Sequence, residues 1–220
     1  MEKTLLFSFN YSSQILKSLE RTVSPSRLST YTKLVNGNVE TAIKLYAWNT
    51  ALSEALYSPI QGFEITLRNT LHNSLATRIA DNWFDVYHFE NREREQIIKA
   101  KNYLYILGKS MSVPNVIAAL NFGFWAGILD RLYENNLWRP YLRQAFKSAP
   151  NPLRRKQIFV IVDRVRRLRN RIAHHEPILK RNLGEDHEIM LELIGWLCKD
   201  TESWVRQQSR FEGVWKNGPL

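Results

Sequence analysis

From Val39 onward, Leu52, Leu56, Ile60, Phe63, Leu67, Leu71 and Leu75 recur three or four residues apart. That spacing is one apolar face of a long amphipathic helix. Pro59 falls inside the stripe and has no N–H to donate, so a kink or break is expected there. Ser24-Pro25 reads as an N-cap with proline at the first helical position, and Asn36-Gly37 as the end of that helix. Glu93 to Leu107 predicts another helix, and Ser112-Val113-Pro114 opens a short one. An aromatic segment starts at Phe122-Gly123-Phe124-Trp125 and runs to Trp138. Asn151-Pro152 is expected to cap a helix whose buried face carries Ile158, Ile161, Val165, Leu168 and Ile172. A last helix is expected from Glu185 or Asp186 through Trp204, followed by a polar tail to Leu220. Trp125, Trp138, Trp196 and Trp204 sit at helical spacings and are expected in the core, whereas Trp215 in the tail is expected to be exposed. No alternating strand pattern flanks a hairpin turn. The prediction is an all-α chain: one helical domain over residues 1–220, with an N-terminal helical extension at 1–23 and a tail at 205–220.

Composition adds three constraints. Hydrophobic residues make up 44% and charged residues 24%, and seven tryptophans and ten phenylalanines argue for a packed core rather than disorder. No apolar run reaches the roughly 18 residues a membrane helix needs, and Met1-Glu2-Lys3 with Leu5, Leu6 and Phe7 is too short and too soon polar for a signal peptide. A lone Cys198 makes an internal disulfide impossible and a thiolate-rich zinc site too. The expected location is the cytoplasm. Formal charge is +10, with ten Lys/Arg between Arg154 and Arg181 against Asp163 and Glu176 alone. Such a surface suits polyanions, nucleic acid foremost.

The chemistry concentrates in Arg166-Arg167-Leu168-Arg169-Asn170-Arg171-Ile172-Ala173-His174-His175-Glu176-Pro177. Arginine presents a fixed cationic fork to phosphate, and histidine exchanges protons near neutral pH. Pro177 disfavours helical backbone at Glu176, so His174 and His175 belong in or just past the last helical turn. The dipole there is negative and favours a cationic imidazole able to give a proton to a leaving oxygen. Together these groups suit cleavage of an RNA strand by its own 2′-hydroxyl, with neither metal nor cofactor required. Arg169 and His174 are five apart, about 140° around an ideal helix, while Asn170 and His174 share a face. Arg169 and His174 therefore converge only if the last turn loosens or a second, two-fold-related copy supplies the missing partner. The second arrangement fits better. Arg164, Arg166, Arg167, Arg171 and His175 are candidate RNA contacts.

A second cluster, Arg68, Asn69 and His72, lies on the long helix, with Glu64, Arg68 and His72 four apart on one face. It could be a second half-site. The favoured expectation is structural: a buried Glu–Arg pair with a histidine closing a hydrogen-bond ladder. His88 and His187 have no clustered partners and are expected at the surface or in loops.

Residues Arg169 to Ile178 closely resemble the end motif of Abi-like abortive-infection proteins (AbiD/AbiF type) of the HEPN superfamily. Three further segments resemble that family in the same order: Leu45-Tyr46-Ala47-Trp48-Asn49, Phe63 to His72, and Phe122-Gly123-Phe124-Trp125. The likeness spans roughly residues 25 to 200, and four ordered motifs are more specific than one. It implies a HEPN-like helical bundle and a metal-independent endoribonuclease toxin of anti-phage defence. Arg169, Asn170 and His174 fall on the motif positions. It also implies paired motifs in a homodimer and control by a protein or RNA antitoxin. The alternative is a non-catalytic RNA-binding module that receives an antitoxin or guide RNA. An all-α DNA-binding regulator ranks below both, because no helix-turn-helix pattern stands out.

Overall fold

Serine and asparagine caps, helical periodicity and proline stops dictate helices throughout, and that is what the computed structural model shows over its described residues, 9–219. Among those residues there is no strand. The leading Met1–Lys3, Leu5–Phe7 segment and Leu220 lie outside them. The chain divides into two compact units. One comprises the described part of Met1–Ser58, Leu168–His187 and the described part of Gln208–Leu220; the other comprises Pro59–Arg167 and Glu188–Gln207.

The first unit begins with α1 (Ser13–Val23), capped by the Ser12 hydroxyl on the Ile15 amide, and α1 packs on α2 (Pro25–Thr32). Ser24 caps α2 as expected, accepting from the Arg27 amide, but does so at φ 82°, where an L-residue is rarely comfortable. Asn36 (φ 51°) and Gly37 (φ 86°) then turn the chain through left-handed backbone, as their identities suggest. α3 (Val39–Arg78) follows, and its first half buries Ala42 and Leu45 with Tyr31, against Tyr46, Trp48 and Leu179. α3 runs on through Pro59 without a break in its helical assignment, and the division between units falls at that residue.

The expected polar tail is instead a packed element. α11 (Phe211–Lys216) buries Phe211, which stacks on Trp215, and Trp215 stacks on Trp48 with ring centres 5.5 Å apart. The Trp48 indole donates to the Val214 carbonyl. Phe211 anchors the element in the core, while Trp215 stays 37% exposed, as its place in the tail predicted. His187 is likewise corrected: it is buried, stacked on Phe211 at 4.7 Å and hydrogen-bonded to the Ser209 hydroxyl.

In the second unit Trp83, at the start of α4 (Trp83–Val86), is the hub of the aromatic core and meets Phe84, Phe89, Phe124 and Trp125. α5 (Asn91–Ile106) packs on α6 (Val113–Ala119) and α7 (Phe122–Gly127). Gly127 permits the approach of α7 to α5, since a Cβ there would lie 2.2 Å from the buried Glu93 carboxylate. A π-helical segment, Glu134–Leu142, buries Trp138. α8 (Arg155–Ala173) starts later than Asn151-Pro152 implied. Its first turn is closed by Gln157, whose Oε1 accepts from the Arg154 amide, the reciprocal half of a capping box. The expected last helix is two. α9 (Leu183–Leu197) and α10 (Lys199–Gln208) meet at Cys198, whose amide closes the first and whose carbonyl opens the second. Trp204 on α10 is 61% exposed, against the expectation of a core position, while Trp125 and Trp138 are buried and Trp196 is half-buried. Among the described residues no helix is long and apolar enough to cross a membrane.

His72, on the second half of α3, accepts the Trp83 indole N–H on Nδ1 at 3.0 Å. That bond needs a bare nitrogen. Burial lowers the His72 pKa below its ordinary 6.5, with Asp81 opposing and Arg68 assisting. The unfolded chain thus takes up the proton first, and stability falls as pH drops below about 6.5 toward the folded value. Denaturant midpoints measured from pH 8 to pH 5 should decline for the wild type and decline less for His72→Asn.

Candidate functional site

The end of α8 is built by backbone hydrogen bonds. The His174 amide still bonds to the Asn170 carbonyl at 3.0 Å, so the helix is regular up to that residue. Next, the His175 amide bonds to Ile172 O and the Glu176 amide to Arg171 O, at 3.0 and 2.8 Å. This pair of bonds is a Schellman closure, with His175 in the left-handed position that glycine usually fills. His175 has φ 56°. Left-handed backbone costs a non-glycine residue about 1–2 kcal/mol. His175→Gly is therefore expected to stabilise the fold by about 1 kcal/mol, raising Tm by about 2–4 °C in calorimetry.

The strained turn is held by Arg171 from the last turn of α8 itself and by two side chains from distant parts of the first unit. Arg27 on α2 donates to the His175 carbonyl at 3.0 Å. The Arg171 guanidinium donates twice to the Pro177 carbonyl, at 3.1 and 2.9 Å, and lies 3.5 Å from the Glu176 carboxylate. Buried Asn49 on α3 accepts the Ile178 amide on Oδ1 at 2.8 Å. Arg171 thus serves to position the turn, a use that its spacing beside the motif concealed. The Leu45–Asn49 segment acquires a physical meaning too: Leu45 and Tyr46 belong to the core, Trp48 anchors α11, and Asn49 pins the chain after the histidines.

His174 itself is exposed, and among the described residues no side-chain hydrogen bond engages its imidazole. Arg169 is exposed and Asn170 half-buried, both in the last two turns of α8, and His174 lies immediately past its end, all three in the first unit. The regular last turn leaves Arg169 and His174 at their ideal angular separation rather than drawing them together. Arg68, Asn69 and His72 belong to the second unit, where the Arg68 Nε donates to Asn69 Oδ1 and His72 is engaged by Trp83. Arg164, Arg166 and Arg167 sit on the earlier part of α8 in that unit. Asp163 takes both Arg166, at 2.6 Å, and Arg167, at 2.7 Å. Arg155 is buried against Glu134 and the Leu129 carbonyl, and Arg181 pairs with Asp186. Much of the basic string is therefore partnered. In the Arg167–Asp163 pair the guanidinium is 70% exposed, so its cationic face still reaches solvent.

Two cavities flank the turn within the first unit. A small one of about 160 Å³ lies among Arg27, Tyr31, Tyr46 and His175; burial pushes the Tyr31 hydroxyl up to about 12, so it is a neutral donor at working pH. A larger one of about 540 Å³ is lined by one face of α3, from Thr50 through Ser53, Glu54 and Tyr57, together with Ile172, His175, Gln208 and Arg210. Among the described residues no group of three or more His, Cys, Asp or Glu side chains is placed to hold a metal ion.

No curated protein and no solved structure matched the chain. The Abi-like protein family matches residues 9–180, so the likeness starts earlier than its motifs suggested, taking in α1. It covers α1 to the end of the pinned turn, and on that extent this chain belongs to the family of Abi-like proteins, whose name denotes abortive infection.

Proposed function

We propose that this Abi-like protein is a metal-independent endoribonuclease of the HEPN type, acting as a toxin in anti-phage abortive infection. The observation that carries the proposal is His174: an exposed, unengaged imidazole at the negative end of α8, on a turn held from three sides. The substrate 2′-hydroxyl attacks the adjacent phosphorus, its proton passes to a base, and the P–O5′ bond breaks as an acid protonates the 5′ oxygen. The products are a 2′,3′-cyclic phosphate and a free 5′-hydroxyl. One imidazole cannot be both base and acid in the same step. A second copy, related by two-fold symmetry, supplies the second His174, and Arg169 stabilises charge on the phosphate oxygens. Asn170, sharing the His174 face, orients the strand. The regular last turn supports this composite arrangement over one inside a single helix.

The test uses labelled RNA in EDTA. The protein should cut it and leave a cyclic phosphate, and one 2′-deoxy substitution at the cut position should block that cut. Cleavage that needs a divalent ion, or proceeds past the deoxy position, contradicts the mechanism. A non-catalytic RNA receptor is the second reading, favoured by Arg166 and Arg167, side by side on α8 and held out by the shared Asp163 carboxylate where a phosphate can compete for them.

A further inference from the structure

The geometry points to a nucleobase seat beside the motif: the 540 Å³ cavity of the first unit takes an unpaired base of the RNA strand whose neighbouring phosphate meets His174. The inference rests on the ribonuclease reading for the identity of the strand. The cavity volume lies within the range of about 300–1,000 Å³ typical of small-ligand sites. Tyr57 lines it with a ring left 64% exposed, a face suited to stacking. Ala55 and Ile172 give it apolar walls, while Gln208 offers both a donor and an acceptor to the edge of a base, and the Ser53 hydroxyl, which donates to the Asn49 carbonyl, offers an acceptor. His175 lines it as well, and consecutive Cα atoms are about 3.8 Å apart, so a nucleotide seated there lies within one residue's reach of His174. At the rim, Arg210 and Glu54 form an ion pair in which both side chains are more than half exposed, leaving Arg210 able to turn to the following phosphate.

A base inside a duplex is stacked on both faces and paired along its edge, and cannot enter such a cavity. The seat therefore selects unpaired RNA: loops, bulges and ends. The specificity of cutting would then come from the cavity and not from the arginine strip, which reads phosphates of any sequence.

The experiment measures binding in EDTA by fluorescence anisotropy on the His174→Ala protein, so that the strand survives. A single-stranded RNA decamer should bind at least about tenfold tighter than the same sequence as a duplex. Adding Tyr57→Ala should weaken the single strand about 5- to 150-fold, the worth of one stacked ring, and leave duplex binding unchanged. Tyr57→Phe should keep the affinity, and Ser53→Trp, which fills the cavity, should lose it. Tyr57→Ala and Ser53→Trp proteins that bind like their parent overturn the seat, as does a duplex bound as tightly as the strand. If binding behaves as expected but the wild type cuts no RNA, the ribonuclease reading falls and the seat stands.

Discussion

RNA cleavage is expected to fall about 10²- to 10⁴-fold in His174→Ala, the usual worth of a positioned acid or base. The fold should be untouched, because the side chain is exposed and unengaged, and surface changes of that kind move stability by about 0.5 kcal/mol or less. Binding of intact RNA should also persist, since the phosphate contacts lie on other residues. Rates under single-turnover conditions, Tm and RNA affinity measured on the same preparation separate the three effects. A variant that still cuts at the wild-type rate removes His174 from the chemistry. If toxicity also survives, while Arg166→Ala with Arg167→Ala abolishes binding and flattens its salt dependence, the receptor reading takes over.

The second large effect comes from a residue that touches no substrate. Asn49→Ala removes the acceptor of the buried Ile178 amide and leaves that amide without a partner, at a cost of about 1–3 kcal/mol. Tm should drop by several degrees, at about 2–4 °C per kcal/mol. Cleavage should fall as well, at temperatures where the variant is still folded. The segment after His175 would be released on one side, and displacement of a catalytic group by about 1 Å can cost on the order of 10²-fold. RNA affinity should change little. A rate that tracks the folded fraction alone would show that Asn49 only stabilises, with no part in aiming His174.

How much of this was legible beforehand follows from the range of each interaction. The stripe from Leu52 to Leu75 predicts its helix because side-chain burial repeats every three or four residues, and every member of it is buried. The start of α2 and the C-terminal end of α8 were legible too, because caps and proline stops act within four residues. The same local logic expected a kink or break at Pro59, where the helical assignment runs on unbroken and the two units divide. It also misread Trp204 and the tail, because periodicity shows which residues align and not whether anything covers them.

The sequence alone determined the helical class, the place where α8 must stop, and the gathering of arginine, asparagine and histidine there. Those depend on neighbours a few residues apart. Only the tertiary structure decided which of the polar groups are committed to the fold and which stay exposed. Arg171 bonds the Pro177 carbonyl, Arg27 reaches His175 across 148 positions, and Asn49 reaches Ile178 across 129. A hydrogen bond between residues so far apart leaves no period in the chain, because its partners meet only when the intervening helices pack.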